Sequence, residues 1–448
     1  MDPRTAINSL LQDGAPELFR ALSPLGQRAF FPPDVPAQSA EARGKELNGT
    51  IGQITDGRGG AVPLPSLATA FAGLSSEDLS RALLYSPIEG IPEVRQRWRE
   101  WQRRGLPGSS AEGNTEIPSS LPPSSLPIVT AGLTHSLSVL ADLFASEGRV
   151  VAVPRPFWGN YRQTFAVRTG AEVRSAPAYI QGDAGARYNT RVFAEALDGL
   201  PEGEPAVVLL NLPSNPGGYS LTAEERREVL DSLRDLAERR PLVVICDDAY
   251  AGLVFEPDIP SGSLFWDLAG AHPNLIPVKV DGGTKEFSFF GGRVGFVTFA
   301  CEPDSEVARA LESKVKMLVR SVIGSPVALS QVALLQALRN PGVEGEIQTI
   351  RELLAERYRA LKQALAGVDP ELLTVLPFNS GCFALVELPE TLGLTAEQVR
   401  RHLLEHYDTG LIAMEPRYLR IAHCSVDAAA LPELVSRLET GVRELAGR

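Results

Sequence analysis

The chain has 448 residues, a formal net charge of −12 at pH 7 and 44% hydrophobic residues. One hydrophobic core rarely extends over such a length, so a globular protein of two domains is predicted. The acidic balance argues against a nucleic-acid-binding protein, and the scattered positions of the four cysteines argue against a disulfide framework and a structural metal site.

Nothing in the sequence points to a membrane. The N-terminal segment lacks the basic and apolar regions of a signal peptide. No apolar run approaches the ~20 residues that span a bilayer. We therefore expect a cytoplasmic protein without membrane or nucleic-acid partners.

Five apolar runs, separated by amphipathic segments, predict the strands of a buried sheet. The segment 221–241 is the clearest helix, because Thr222 and Glu225 have the spacing of a capping box. Alternating strands and helices imply a largely parallel α/β sheet, whose ligands bind beyond the carboxyl ends of the strands. The runs cover residues 149–154, 206–211, 242–247, 275–280 and 294–300.

The pattern changes near residue 325. Two long predicted helices, 330–340 and 344–367, precede a β segment at 381–389, which indicates a second, α+β domain. The Ser/Pro/Gly-rich stretch 105–127 predicts an exposed loop within the large domain. The predicted division is an N-terminal arm with part of the small domain (1–58), a large domain (59–325) and a small C-terminal domain (326–448).

The first candidate binding motif is TAGLTHSLSVL, residues 130–140. Gly132 permits a sharp turn, after which the amides of Leu133 and Thr134 open a helix. Backbone amides and the helix dipole form an anion site at such a position. An ordinary helix start also explains the motif when it stands alone.

Two further motifs follow predicted strands. In PFWGNY, Trp158 could stack on a flat ligand ring or could cap the sheet as a core residue. In NLPSNPGG, Asn215 lies on a turn made by Pro216 and two glycines, where its amide can donate to a ligand oxygen. A plain Asn-Pro-Gly turn is the competing interpretation.

Charged residues follow the next two strands. Asp247 ends a fully apolar strand, where a carboxylate needs a partner. A helix N-cap is the alternative, and Asp248 could also provide it. Tyr250 lies three residues further on and could face the same site. Lys285 and Arg293 lie around a glycine-rich bend beside a core strand, where a surface lysine is unexpected.

One ligand accounts for the whole set of side chains. Pyridoxal phosphate is a flat pyridine that carries an aldehyde, a phenolic oxygen and a phosphate, and each part finds a partner among them. From NGTIG (48–52) to RIAHCS (420–425), the order and spacing of motifs resemble the class I and II aminotransferases of fold type I, the aspartate aminotransferase superfamily. The segment YSPIEG (85–90) resembles the family's Tyr-x-Pro-x-x-Gly, and NPGG stands where the family usually has Asn-Pro-Thr-Gly.

The resemblance implies a fold and a reaction. The fold is α/β, with a large domain built on a mostly parallel seven-stranded sheet flanked by helices, plus a smaller α+β domain. The reaction moves an amino group between an L-amino acid and a 2-oxo acid, with pyridoxal phosphate as cofactor and no metal. A pyridoxal-phosphate-dependent lyase is the alternative, because the same residues serve both reactions. An aminotransferase-like regulatory or sensor protein is a remote alternative, because no helix-turn-helix precedes NGTIG.

The resemblance also assigns roles around the cofactor. Lys285 would bind it covalently and then move a proton, and Asp247 would keep its ring nitrogen protonated. The family often has a serine three residues before the lysine, but this chain has Gly282 there, so either Thr284 or backbone amides are expected to compensate. The other implied cofactor contacts are Gly132, Leu133, Thr134, Trp158, Asn215, Tyr250, Thr284 and Arg293.

The implied substrate site contains Gly52 and Arg420, whose guanidinium would bind the α-carboxylate. Tyr85 would reach the phosphate of the neighbouring subunit, which implies a homodimer with shared active sites. Arg320 precedes a Ser-Pro pair by five residues and resembles the arginine that binds a side-chain carboxylate across the dimer in aspartate aminotransferases. That interpretation favours aspartate or glutamate as substrate. The alternative is an arginine favoured by the helix dipole at the end of a cationic helix.

Overall fold

A seven-stranded sheet and a four-stranded sheet form the two centres of the fold. The computed structural model describes residues 3–32, 34–104, 106, 122–182, 185–414 and 416–447. None of the helices in this part of the chain is long and apolar enough to cross a bilayer.

Helices and strands alternate along most of the chain. The helices are α1 (Pro3–Gly14), α2 (Pro16–Ala21), α3 (Pro24–Arg28), α4 (Val35–Glu41), α5 (Pro65–Ala72), α6 (Ser76–Leu83), α7 (Pro92–Gln102), α8 (Leu133–Phe144), α9 (Val192–Ala196), α10 (Ala223–Arg239), α11 (Phe265–Leu268), α12 (Gly283–Glu286), α13 (Glu306–Ile323), α14 (Ala328–Arg339), α15 (Val343–Leu365), α16 (Ala396–His406) and α17 (Leu431–Leu445). The strands are β1 (Leu47–Asn48), β2 (Ile128–Thr130), β3 (Val150–Arg155), β4 (Glu172–Pro177), β5 (Tyr179–Gly182), β6 (Gly185–Tyr188), β7 (Ala206–Asn211), β8 (Leu242–Asp247), β9 (Leu275–Gly282), β10 (Gly295–Phe299), β11 (Thr374–Val375), β12 (Phe383–Glu387), β13 (Thr409–Gly410), β14 (Ile412–Met414) and β15 (Tyr418–Ala422).

The large sheet has the strand order β2-β10-β9-β8-β7-β3-β4. Strand β10 runs antiparallel to both of its neighbours, and the pairings from β9 through β4 are parallel. This confirms the predicted fold class. All five apolar runs are strands of this sheet, whereas β2 and β4 were not among them. The predicted capping box is also present, since Thr222 and Glu225 bond reciprocally at the start of α10.

Helices cover both faces of the large sheet. Along β3, Val151 and Val153 pack with the core that contains α8, whereas Val150 and Ala152 pack with the core that contains α9 and α10. A sheet buried on both faces needs apolar residues at every position. That requirement explains the continuous apolar runs from which the strands were predicted.

The smaller sheet is antiparallel, in the order β11-β12-β15-β14, and packs with α15, α16 and α17 around a separate core. The N-terminal part of the chain joins this region, because Leu47 of β1 pairs with Thr409 of β13. Helix α14 instead packs against α5, α6 and α7. The domain boundaries at residues 58 and 325 stay predictions.

Most of the stretch predicted as an exposed loop, residues 105 and 107–121, lies outside the described residues. Its last part is described and is not exposed. Ser124 and Ser125 are buried, and the Ser125 hydroxyl accepts a hydrogen bond of 3.0 Å from the Phe299 amide. Residues 124–125 therefore lie against the end of β10.

Buried ion pairs and hydrogen bonds connect β9 to the end of β8 and to α7. Lys279 pairs with Asp248 and, at 3.3 Å, with Asp281. Asp281 also accepts hydrogen bonds from Trp98 of α7, at 2.9 Å, and from Gln102 of α7, at 3.0 Å. No helix begins directly after β8, where the described chain forms a turn, so neither Asp247 nor Asp248 is the helix cap considered from the sequence. The lysine holds the strand that leads to Lys285 in place.

Replacing Lys279 by methionine should lower the Tm of the cofactor-free protein by more than about 5 °C, because removing one partner from a buried ion group typically costs about 3–5 kcal/mol. Thermal unfolding followed by circular dichroism measures the change. Lys314→Met, at an exposed position of α13, is the matched control and should shift Tm little. Equal Tm values for the two variants would show that the ion group adds no stability.

Candidate active site

The predicted site residues converge at the carboxyl edge of the large sheet. Asp247 is the last residue of β8, Asn215 lies in the turn after β7, and Lys285 lies in α12, directly after β9. Neighbouring parallel strands end at the same edge, so residues far apart in sequence meet there. This edge is where ligands of α/β sheets bind.

Asp247 is a buried carboxylate, only 3% exposed. It accepts hydrogen bonds from the Tyr161 hydroxyl at 2.6 Å and from the Ala249 amide at 3.2 Å. Burial raises the pKa of Asp247 to about 6, and these hydrogen bonds oppose that rise. A nearby cation would hold the carboxylate fully ionised.

Two residues that support Asp247 were missed from the sequence. Burial and the Asp247 carboxylate raise the pKa of Tyr161, so the phenol stays neutral and keeps its donor proton. The Asn211 side chain, at the end of β7, donates to the backbone carbonyl of Asp247 at 2.8 Å and accepts a hydrogen bond from the backbone N–H of Asn215 at 2.7 Å. Tyr161 lies three residues after Trp158 in the same PFWGNY motif, and this spacing was the available signal.

Asn215 connects the large sheet to the small one. Its amide nitrogen donates to the Tyr250 hydroxyl at 3.4 Å, and its amide oxygen accepts from Arg420 Nη1 at 3.1 Å. Arg420 lies on β15 of the small sheet. Asn215 and Tyr250 are therefore neighbours, and Arg420, which is expected to bind the substrate, is joined directly to Asn215.

Arg420 is a cation in the protein interior, 2% exposed. Its Nη2 donates to the Thr50 carbonyl at 2.9 Å, and its guanidinium carbon lies 4.4 Å from the centroid of the Phe383 ring. Within the described residues it forms no ion pair, and its Nε has no hydrogen-bond partner. Burial lowers the pKa of Arg420. A buried guanidinium of this kind is suited to receive a carboxylate.

Lys285 projects its amine into the same space. The Nζ atom lies 5.4 Å from the centroid of the Tyr250 ring and 5.3 Å from that of the Phe290 ring. Burial lowers the pKa of Lys285, although Asp247 nearby opposes this. A lysine with a lowered pKa supplies the free amine that attacks a carbonyl.

Glycines allow β2, β9 and β10 to approach closely beside Lys285. A Cβ on Gly132 would lie 2.5 Å from Arg293 Nη2, and one on Gly295 would lie 2.5 Å from the Gly132 carbonyl carbon. Gly132 has φ +83° and begins α8, whose first amides, those of Leu133 and Thr134, lack partners within the helix. The Arg293 guanidinium thus lies against the N-terminus of α8, which is the predicted anion cradle.

The same close packing explains why glycine occupies position 282. A Cβ there would lie 2.4 Å from the Val294 carbonyl oxygen and 2.9 Å from Leu133 Cδ1. The serine that the family often has does not fit without moving β10. Thr284 is buried, and its hydroxyl oxygen has no hydrogen-bond partner within the described residues, so it is available for a ligand.

Trp158 and Gly52 belong to the cluster, whereas Tyr85 and Arg320 do not. Trp158 packs edge-to-face on Tyr161, with ring centroids 5.5 Å apart. A Cβ on Gly52 would lie 2.9 Å from the Phe383 ring, over which the Arg420 guanidinium lies. Tyr85 is 97% exposed, and Arg320 is exposed on α13. No contact in the described part of this single chain joins either of them to the other site residues.

The fold and the site together define an α/β enzyme of the fold type I class. The family model for aminotransferase class I and II matches residues 47–438, and the chain belongs to that family.

Relatives and solved structures agree with this assignment. The chain is 23% identical to an aspartate aminotransferase of Bacillus sp. (strain YM-2) over 304 residues, which is 67% of each chain. It is 26% identical to a 2-aminoadipate transaminase of Thermus thermophilus over 405 residues, 86% of this chain and 89% of the other. An aminotransferase structure from Anaerococcus prevotii superposes with a TM-score of 0.76 at 22% identity, covering 92% of this chain and 98% of that chain. The predictions of an aminotransferase and of pyridoxal phosphate as its cofactor are confirmed.

Tyr161→Phe should weaken cofactor binding at pH 7 by at least about tenfold, since hydrogen bonds to charged groups contribute about 1.5–3 kcal/mol. The variant removes a hydrogen bond that lowers the pKa of Asp247, so more of the carboxyl is protonated and less charge faces the cofactor. Raising the pH to about 8.5 should ionise Asp247 again and reduce the deficit. Equilibrium dialysis at the two pH values measures the effect.

Tyr179→Phe is the control for this experiment. Tyr179 is half-buried beside the Asn215 turn, but its hydroxyl bonds to Ser214 rather than to Asp247. We expect its cofactor affinity to show no comparable pH dependence. A deficit in Tyr161→Phe that is the same at both pH values would mean that Tyr161 acts on packing and not on the Asp247 charge.

Proposed function

We propose that the site transfers an amino group between an L-amino acid with an acidic side chain, aspartate or glutamate, and a 2-oxo acid. The observation that carries the proposal is the meeting of three groups at one sheet edge: the Lys285 amine, the buried Asp247 carboxylate and the buried Arg420 guanidinium, which lacks a carboxylate partner among the described residues. When bound, pyridoxal phosphate supplies the electron sink for the charge that develops at the substrate Cα.

The residues present fit this cofactor. Asp247 supplies the charge that a protonated ring nitrogen needs. The Thr284 hydroxyl, buried without a partner among the described residues, and the Arg293 guanidinium against α8 supply donors for a phosphate. The proposed contacts to the phenolic oxygen, the ring and the phosphate are Asn215, Tyr250, Trp158, Gly132, Leu133 and Thr134.

Each of the three central residues has a separate task in the proposed mechanism. Lys285 Nζ removes the proton from the substrate Cα and later returns it, which its lowered pKa favours near neutral pH. Arg420 binds the α-carboxylate with its two terminal nitrogens and so fixes the direction of the Cα–H bond. Asp247, held by Tyr161, maintains the proton on the ring nitrogen.

The Lys285 assignment can be tested directly. Borohydride reduction of the holoenzyme followed by peptide mass spectrometry should find the cofactor attached to Lys285. Lys285→Ala should lose the visible absorbance of the bound cofactor when external amines are absent, and its kcat should fall by several orders of magnitude. A cofactor found on another lysine would falsify the assignment.

We propose that the active enzyme is a homodimer with shared active sites. In such a dimer Tyr85 of one subunit would reach the cofactor phosphate in the active site of the other. Three consecutive side chains at the end of α6, Leu83, Leu84 and Tyr85, are strongly exposed. Val327 and Leu329, at the start of α14, are exposed beside them, and α14 packs on α6. Contiguous exposed apolar surface of this kind marks a protein interface, and a second copy of the chain is the occupant we propose.

Sedimentation equilibrium should therefore show a dimer at assay concentrations. Leu84→Glu should shift the mass toward the monomer and weaken cofactor binding, because dissociation withdraws Tyr85 from the neighbouring site. Leu10→Glu, at an exposed position of α1, is the control and should remain dimeric. A monomer with full specific activity would contradict the proposal.

Arg320 is the proposed ligand for the substrate side-chain carboxylate, contributed from the partner subunit. It lies in the last turn of α13, near the exposed surface at residues 322–329, and has no ion pair within the described residues. The two curated relatives described above are named for aspartate and 2-aminoadipate, amino acids with a carboxylate in the side chain. These observations favour a dicarboxylic substrate.

Arg320→Ala should reduce kcat/KM for aspartate and glutamate well over tenfold, since losing one partner of a buried charge pair costs about 2–5 kcal/mol. Activity on alanine should change little, because alanine has no side-chain carboxylate. Lys314→Ala, on the same helix and also exposed, is the control for a general loss of positive charge. Equal losses for acidic and neutral substrates would instead assign Arg320 to the stability of α13.

We further propose that the protein acts in the cytoplasm on small molecules, without nucleic acid or membrane partners. The net charge of −12 supports this proposal, as do four cysteines that remain unpaired by disulfides.

A further inference from the structure

Two core cysteines that the proposed chemistry does not use lie at the ends of neighbouring strands next to the active site. Phe383 and Ala422 form the last pair between β12 and β15. Cys382 precedes that pair on one strand, and Cys424 follows it on the other. The side chains are 1% and 0% exposed and pack in the same buried cluster, where the Cys424 thiol is close enough to raise the pKa of Cys382.

The pair adjoins the substrate cluster. Lys285 and Arg420 each lower the pKa of Cys382, so both cations lie near its thiol. Cys424 Sγ lies 3.7 Å from the Ile51 carbonyl oxygen, and Ile51 immediately precedes Gly52. The two sulfurs thus lie behind the surface formed by Phe383 and the substrate-site arginine.

We propose that Cys382 and Cys424 are an oxidisable dithiol, which hydrogen peroxide converts to a disulfide that weakens amino-acid binding. One thiol attacks peroxide to give a sulfenic acid and water. The second thiol then attacks that sulfur, forming the S–S bond and releasing a second water. The two thiols lose two electrons and two protons in total, and one peroxide is reduced to two waters.

Because they lie close together, Cys382 and Cys424 are the cysteines we expect to form the disulfide. A disulfide requires two cysteines whose side chains already face each other. The other two cysteines, Cys246 in β8 and Cys301 after β10, lie at separate places in the large domain. The neighbouring Cys424 thiol and burial both raise the pKa of Cys382. The first step is therefore slow and open to an oxidant as small as peroxide, whereas the second step is fast.

The disulfide would act on binding through β12 and β15. Bond formation draws the sulfurs closer than two unbonded thiols can approach, which moves the start of β12 against the end of β15. Phe383 and Arg420 stand on these same two segments, stacked on each other. Because the effect on binding rests on the proposed role of Arg420, the test measures the covalent bond and the binding separately.

The experiment treats the holoenzyme with hydrogen peroxide. We expect the intact mass to fall by about 2 Da, the loss of two hydrogens, and non-reducing peptide mapping to recover a Cys382–Cys424 linked peptide. The KM for the amino-acid substrate should rise by about fivefold or more with a smaller change in kcat. Dithiothreitol should reverse both changes.

Variants separate this effect from general oxidation. The KM of Cys424→Ser should be the same before and after peroxide, whatever its starting value, whereas Cys301→Ser should respond like the native enzyme. Four free thiols after peroxide, or sulfinic acids without a linked peptide, would overturn the dithiol. A linked peptide with unchanged KM would overturn its effect on binding. If the role of Arg420 is wrong instead, Arg420→Ala leaves KM unchanged while the linked peptide still forms.

Discussion

The burial of the Asp247 carboxylate is the constraint on which the active site depends. Burial raises its pKa to about 6, so the folded protein binds this proton more tightly than the unfolded chain does. Between about pH 4 and pH 6, ionisation of Asp247 therefore makes the cofactor-free fold less stable as the pH rises. Tyr161 and the Ala249 amide offset part of that cost. A cationic ring nitrogen would offset the rest, which links cofactor binding to the stability of the sheet edge.

Arg420 is a second buried charge of the site, and it has no oppositely charged partner among the described residues. The guanidinium is anchored by neutral oxygens of Thr50 and Asn215 and by the Phe383 ring. None of these neutralises its charge, and burial already disfavours that charge. An entering carboxylate thus gains a strong, oriented interaction. Since Asn215 lies in the turn after β7 of the large sheet and Arg420 lies on β15 of the small one, a carboxylate bound as proposed would act on the contact between the two sheets.

The sequence was most informative where one physical requirement dominated. Continuous apolar runs revealed the inner strands, because a sheet covered on both faces admits little else. Short β2 and the half-exposed β4 lack that pattern and were missed. Lys279 went unnoticed inside a predicted core strand, because its partners Asp248 and Asp281 are recognisable only after β8 and β9 are paired. Tyr161 follows β3, and although its spacing from Trp158 was a signal, its bond to Asp247 at the end of β8 is recognisable only after the sheet is assembled.

Position 282 shows how a departure from a family pattern can be consistent with the rest of the fold. A side chain there would meet the Val294 carbonyl oxygen, so the pairing of β9 with β10 excludes the usual serine. A hydroxyl donor for the phosphate then has to come from another residue. Thr284 lies two residues further on, and its buried hydroxyl has no hydrogen-bond partner among the described residues. Close strand packing thus accounts for the glycine at position 282, and Thr284 offers the proposed phosphate contact in place of the serine. The tight approach that removes the serine also presses Arg293 against Gly132, where the anion is expected.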